Sequence, residues 1–198
     1  LFAGTGIVGQ SFKRTHKIIS NDLLYFAYVL NYSYIALKAT PKFTLAKKHL
    51  KQHPVDFLNN LQINIKTISD EDFITCNYSP VQGNNRCYLT VENALHIDRA
   101  RQLINEWYSS SLITEGEFHY LLASLIEEVP SVSNIAGTYG AYLKKWDKRS
   151  FKSLQLGKPE IIPTNTNNEI YNMDANQLIT KISGDVLYLD TPYNGRQY

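Results

Sequence analysis

Leu1-Phe2-Ala3-Gly4-Thr5-Gly6-Ile7-Val8-Gly9 opens the sequence and decides how the rest is read. Two apolar residues followed by glycines at GxGxxG spacing describe a tight turn leaving a buried strand and entering a helix. Glycines there let a backbone pass close to a ligand. Alone, the motif is equally an ordinary tight turn. The far end of the chain mirrors it. Gly184-Asp185-Val186-Leu187-Tyr188-Leu189-Asp190 reads as a buried strand, closed by Asp190-Thr191-Pro192-Tyr193. A chain that begins on the last residues of one strand and stops just after another reads as a segment cut at both ends of a longer protein. Such a segment is expected to be inactive by itself.

Between these ends the patterns predict further units. Val8–Lys13 starts a helix, His16–Ser20 forms a short strand ending at Asp22, and Leu23–Lys38 is a buried helix interrupted by Asn31 and Ser33. Residues 43–57 are helical and basic. Residues 70–86, with Pro80, Gly83 and paired asparagines, form an irregular loop. Thr90 caps a helix running to Trp107. Thr114-Glu115-Gly116-Glu117 is a capping box before a helix to Val129. Pro130–Tyr139 is turn-rich, and Gly157–Asn168 is a connector. Glu169–Met173 is a strand, and Asp174–Ile182 a helix ended by Gly184. Strand–turn–helix units therefore flank a mostly helical module. The fold class is α/β, with residues 1–40 and 165–198 in one domain and 41–164 inserted into it.

Composition narrows the class. The 198 residues are 43% hydrophobic and 19% charged, enough for a core and unlike a disordered chain. Cys76 and Cys87 make neither a disulfide framework nor a four-cysteine zinc site, so no metal is expected. No apolar run approaches the ~20 residues that span a bilayer. The net charge of +2 hides an asymmetry: six basic residues and one acid between Tyr142 and Lys158 give +5, leaving −3 elsewhere. Lys144, Lys145, Lys148, Arg149 and Lys152, interleaved with Trp146 and Phe151, suit phosphate contacts as well as they suit a solvated helix face. Lys42, Lys47, Lys48 and Lys51 form a smaller patch. Gln82, Asn84, Asn85 and Arg86 are candidates for reading base edges.

Three acids stand at the carboxyl ends of predicted strands: Asp22, Asp174 and Asp190. In a doubly wound sheet those ends face one crevice, where a carboxylate can hold ribose hydroxyls. Taken singly, Asp22 and Asp174 read equally well as helix N-caps.

Together, these residues carry a family resemblance. Phe2-Ala3-Gly4-Thr5-Gly6 resembles the FxGxG motif, and Asp190–Tyr193 the DPPY motif, of S-adenosylmethionine-dependent DNA adenine methyltransferases. The order of cofactor motif, helical insert and catalytic motif resembles the Dam-type, or alpha, group. Asn77–Trp107 and Ser133–Arg149 look like its target-recognition insert, so the resemblance spans nearly the whole chain. It implies a Rossmann-like sheet, here partial. It also implies S-adenosylmethionine bordered by Phe2, Ala3, Gly4, Thr5 and Gly6, with Asp22 on the ribose and Asp174 at the adenine ring. Asp190, Thr191, Pro192 and Tyr193 would handle the target base in double-stranded DNA. Thr191 departs from the motif's first proline but supplies the same backbone carbonyl. A bacterial, cytoplasmic enzyme is implied, with a cognate restriction endonuclease acting on the same site. The alternatives left open are methylation of cytosine, RNA or protein by the same fold, and a DNA-binding fragment without activity. A nicotinamide dehydrogenase explains only the glycines. Neither cysteine follows a proline, as the nucleophile of a cytosine-carbon methyltransferase does.

Overall fold

A computed structural model describes residues 1–81 and 83–191. The chain forms two compact units. One comprises Leu1–Pro41 and the residues from Pro159 on; the other comprises Lys42–Lys158. The first unit begins with α1 (Ile7–Phe12), β1 (Ile19–Asn21) and α2 (Tyr25–Asn31), which runs on as a π-helical turn, Tyr32–Ala36. The second contains α3 (Thr44–Leu50), α4 (Pro54–Asn59), α5 (Phe73–Tyr78), α6 (Val91–Ser109) and α7 (Glu115–Glu128), with short 3-10 turns. The chain then returns through β2 (Glu169–Tyr171) to α8 (Ala175–Leu178). β1 and β2 pair in parallel, Ile19 opposite Glu169 and Asn21 opposite Tyr171. The class is mixed α/β: a two-stranded parallel sheet with many helices.

In the first unit a buried lysine ties α1 to the helix that follows the sheet strand. Lys13 is fully enclosed, and its Nζ donates to the carbonyls of Tyr34 (2.8 Å) and Leu37 (2.6 Å). These belong to the end of the π turn, where carbonyls lack helical partners. Burial disfavours the ammonium and lowers its pKa to about 8.

In the second unit α6 is a spine to which loops are fastened. Its N-cap is as expected, Thr90 Oγ1 accepting from Asn93 N. Its inner face buries Leu95, Ile104 and Trp107, and α7 packs beside it with Tyr120, Leu121 and Leu125. Burying each large apolar side chain contributes about 2 kcal/mol. Phe43 sits in this core against His53 and Tyr120, with ring centroids 5.0 and 5.6 Å away. The capping box forms in full: Glu117 N donates to Thr114 Oγ1, and Thr114 N to Glu117 Oε2.

Several expectations are corrected. Residues 43–57 are two helices rather than one, because Pro54 at the first helical position holds His53 extended and Lys51 adopts φ +57°. The region 70–86 is not all loop: α5 forms because Asp98, on α6, accepts from the N–H groups of Ile74 and Thr75 and from the Thr75 hydroxyl. Beside it, enclosed Asp72 accepts from Ser69 N, Arg99 and Gln102. Burial opposes its ionisation, but these donors outweigh burial and hold the carboxyl below the usual range. The expected strand Asp185–Asp190 does not form. A strand needs ladder partners, and here the described bond is one, from Leu1 N to Tyr188 O at 3.0 Å. Val186 to Leu189 stay exposed, Val186 at 85%. α8 is shorter than the predicted Asp174–Ile182 helix, and β1 starts three residues later than His16.

The Lys13 environment sets a pH dependence. Between about pH 8 and lysine's ordinary 10.5, the unfolded chain holds a proton that the folded chain has released, so stability rises with pH across that window. In Lys13→Met this rise should disappear. Denaturant unfolding of both proteins at successive pH values measures it, and identical slopes would overturn the assignment.

Candidate functional site

The site is built at the carboxyl ends of β1 and β2. Beyond Asn21 the chain reaches Asp22; beyond Tyr171 it reaches Asn172, Met173 and Asp174. The glycine turn is fastened to the same edge. Ala3 N donates to Asn21 O (3.0 Å), and Gly4 N to Asp22 Oδ2 (2.8 Å). The other carboxylate oxygen, Oδ1, accepts from Leu24 N (2.9 Å), so Asp22 both opens the α2 segment and grips the turn. It remains half-exposed, and each of its oxygens keeps a lone pair for a further donor.

The three glycines do different work. Gly4, at φ +54°, has nothing within 4 Å of where a Cβ would stand, so its backbone is open to approach. Gly6, at φ +77°, lies against α2: a Cβ would meet Asn31 Oδ1 at 2.7 Å. Gly9 lets α1 close on the π turn, its absent Cβ lying 2.6 Å from Ile35 Cδ1. Phe2 is exposed and holds φ +60°, a left-handed conformation rarely adopted by a bulky residue. Thr5 is exposed and its carbonyl accepts from Gln10 Nε2.

Asparagines that sequence reasoning left unassigned hold this edge. Asn31 Nδ2 donates to Gly4 O and Ala27 O, while its Oδ1 accepts from the buried Ser20 hydroxyl. Asn21 pairs both ways with the backbone of Met173, and Asn172 Nδ2 donates to Asp22 O and Leu23 O. The available signal was a polar residue in the middle of an apolar helix, which Asn31 is.

The other expected site residues are less tightly built in. Asp174 is exposed and caps α8 through Asn176 N (2.7 Å). Asp190 and Thr191 are exposed, beyond the Leu1–Tyr188 bond. Pro192, Tyr193 and Gln82 lie outside the described residues. In the second unit Lys144, Lys145, Lys148 and Lys152 are exposed and, among the described residues, form no ion pair. Arg149 is half-buried, and its guanidinium holds the carbonyls of Ser133 and Ile135, so it also fastens this loop. Exposed Arg86 reaches Asn77 O at 3.3 Å.

The unequal surroundings of Gly4 and Gly6 yield a test. Alanine at either costs about 1–2 kcal/mol for a left-handed backbone, but Gly6→Ala adds the overlap with Asn31. Thermal unfolding should show the larger loss for Gly6→Ala, and equal losses would refute the packing role given to Gly6.

Comparison with known proteins adds an independent line. The family model described as D12 class N6 adenine-specific DNA methyltransferase matches residues 1–198. The chain is 52% identical over 198 residues to the type II methyltransferase M.FokI of Planomicrobium okeanokoites, covering 100% of this chain and 30% of that protein. It is 43% identical over 198 residues to the modification methylase StsI of Streptococcus sanguinis, again 100% of this chain and 30% of the relative. To the type II methyltransferase M.NlaIII of Neisseria lactamica it is 40% identical over 201 residues, 100% of this chain and 56% of that protein. The chain thus spans less than a third of the first two relatives. No solved structure matches it. With a model match running from the glycine turn through Tyr193, the chain belongs to the D12 class N6 adenine-specific DNA methyltransferase family.

Proposed function

We propose that the full-length protein transfers a methyl group from S-adenosylmethionine to the exocyclic amino group of an adenine flipped out of double-stranded DNA. The observation that carries this reading is the bond from Gly4 N to the Asp22 carboxylate at the ends of two parallel strands. It joins the glycine turn and the strand-end acid in one place. The donor set fits the cofactor: an open backbone at Gly4, a half-exposed carboxylate for a pair of ribose hydroxyls, and exposed Phe2 beside them. Ala3, Thr5 and Gly6 complete the turn, and Asp174 takes the adenine end. Bound there, the cofactor supplies a methyl group on a sulfonium.

The chain's own residues then position the base. An adenine amino nitrogen is a poor nucleophile because its lone pair is delocalised into the ring. The Asp190 carboxylate and the Thr191 carbonyl accept its two hydrogens, which favours a pyramidal nitrogen with the lone pair directed outward. Tyr193 offers a face on which the extruded base stacks. The rate gain is positioning and electrostatics, with no covalent intermediate.

The same reading assigns a partial Rossmann-like sheet to residues 1–40 and 165–198, and target recognition to 41–164. The division of the chain at Pro41 and Pro159 supports it. Lys144, Lys145, Lys148 and Lys152 take phosphates, with Arg86 near the bases, while Arg149 shapes the loop. The names of the relatives support a place in a restriction–modification system, beside an endonuclease acting on the same site. No described helix is long and apolar enough to cross a membrane; a bacterial cytoplasmic location is part of the proposal.

Two experiments on the full-length protein test this. Radiolabelled cofactor and duplex DNA should give N6-methyladenine, and Asp190→Ala should lower kcat about 100-fold while leaving cofactor affinity nearly unchanged. Label on cytosine or protein would overturn the reaction. Lys144→Ala with Lys148→Ala should weaken binding to all sequences and reduce the slope of log K against log salt by about two. An effect confined to one sequence would remove these lysines from the phosphate contacts.

A further inference from the structure

The basic segment carries an exposed aromatic that phosphate binding does not explain. Phe151 is 66% exposed, more than any other aromatic side chain among the described residues, and it closes the 3-10 turn Lys148–Phe151. An apolar ring on a loose loop would fold inward to leave water. Here the backbone on both sides of the ring is held in place. The carbonyls on either side of Phe151, those of Ser150 and Lys152, both accept from one buried amide, Asn93 Nδ2, and Leu154 N returns a bond to Asn93 Oδ1. Upstream, Asp147 N donates to Asn134 Oδ1, and Arg149 N to Asp147 Oδ1. The turn is pinned at both ends with its phenyl ring outward. Half-buried Trp146 stands behind it, ring centroids 5.7 Å apart.

Lys144, Lys145, Lys148 and Lys152 flank that ring in sequence, all exposed and outside the described ion pairs. A protein-binding patch depletes such charge at its centre. A strongly exposed apolar ring in a basic segment suits a polyanion whose interior is made of flat apolar faces, which is stacked nucleic acid. We propose that Phe151 is a wedge that enters between base pairs of duplex DNA. Trp146 braces it, and the four lysines hold the flanking phosphates. Unstacking one step is offset by the closer fit of the bent duplex. This rests on the DNA reading above and adds a distortion step to it.

The test uses the full-length protein and a short mixed-sequence duplex carrying fluorescent donor and acceptor at its ends. Wild type should bring the ends together. Phe151→Ala should abolish that change and weaken binding about tenfold, with an unaltered salt slope and an unlowered Tm. Phe151→Leu, still an apolar wedge, should keep most of both. A duplex left straight by wild type overturns the proposal, as does a Phe151→Ala protein that bends DNA normally. A fall in Tm without any DNA effect would instead make Phe151 an internal or protein contact. Adenine methylation by wild type is followed in parallel. Methylation with a Phe151→Ala protein that behaves as wild type removes only the wedge; bending that requires Phe151 without adenine methylation removes the catalytic reading and leaves the wedge.

Discussion

Irregular backbone cannot be buried unless its N–H and C=O groups find partners, and the solution adopted here is the asparagine carboxamide. β1 and β2 are three residues each, so ladders satisfy little of the backbone. Asn31, Asn21 and Asn168 do the rest in the first unit; Asn59, Asn93 and Asn134 do it in the second. Each presents a donor pair and an acceptor in the geometry of a peptide group, so it stands in for a missing strand neighbour. Asn59 pairs with both the N–H and the carbonyl of Leu156, as a ladder residue would. Asn134 is the densest case. Its Nδ2 serves Cys87 O and Leu143 O, its Oδ1 takes Asp147 N, and its own N–H reaches Tyr88 O.

The candidate cofactor edge follows from this constraint. The glycine turn needs left-handed backbone at Gly4 and Gly6, and such a turn has no regular neighbours to hold it. Asn31 takes the Gly4 carbonyl and Asp22 takes the Gly4 N–H, so one residue is held from both sides of its peptide. The turn is thereby fixed while the space beside its α-carbon stays clear. A tighter fold around Gly4 would have filled the approach that a ligand needs. The distinction between Gly4 and Gly6 is a distinction between a backbone kept open and one packed shut.

What was legible in the sequence was whatever is local. The Thr114–Glu117 box and the Thr90 cap depend on neighbours three residues away, and both are present. The glycine turn was legible as a turn from the spacing of its glycines; that Gly4 N would bond to Asp22 became visible only in the structure. What escaped depends on distant partners. α5 begins where Asp98 reaches across from another helix, so the 70–86 stretch reads as loop until that carboxylate is placed. Val186–Leu189 has the apolar run of a central strand, but a strand is a property of its neighbours, and the described chain offers it a single bond. Arg149 looked like one cation among five, although its guanidinium is aimed at Ser133 and Ile135.

The same logic explains why the basic segment is a pinned loop rather than a helix. On a helix, a stripe of lysines would be spaced by the backbone's own period, and each long side chain would have to be ordered separately on binding. The loop between Leu143 and Leu154 is already fixed by Asn134, Asp147, Arg149 and Asn93, so its backbone loses little freedom when a partner arrives. That arrangement also allows an unequal assignment of cations. Arg149, with a planar fork suited to carbonyls held at fixed angles, builds the loop. Under the proposed DNA-binding role, the lysines, compact charges on flexible stems, would follow a phosphate backbone without reading it. On that proposal, any sequence selectivity in this unit has to come from elsewhere. On the present reading it comes from the side chains near Arg86 and from how readily a given base step yields to Phe151.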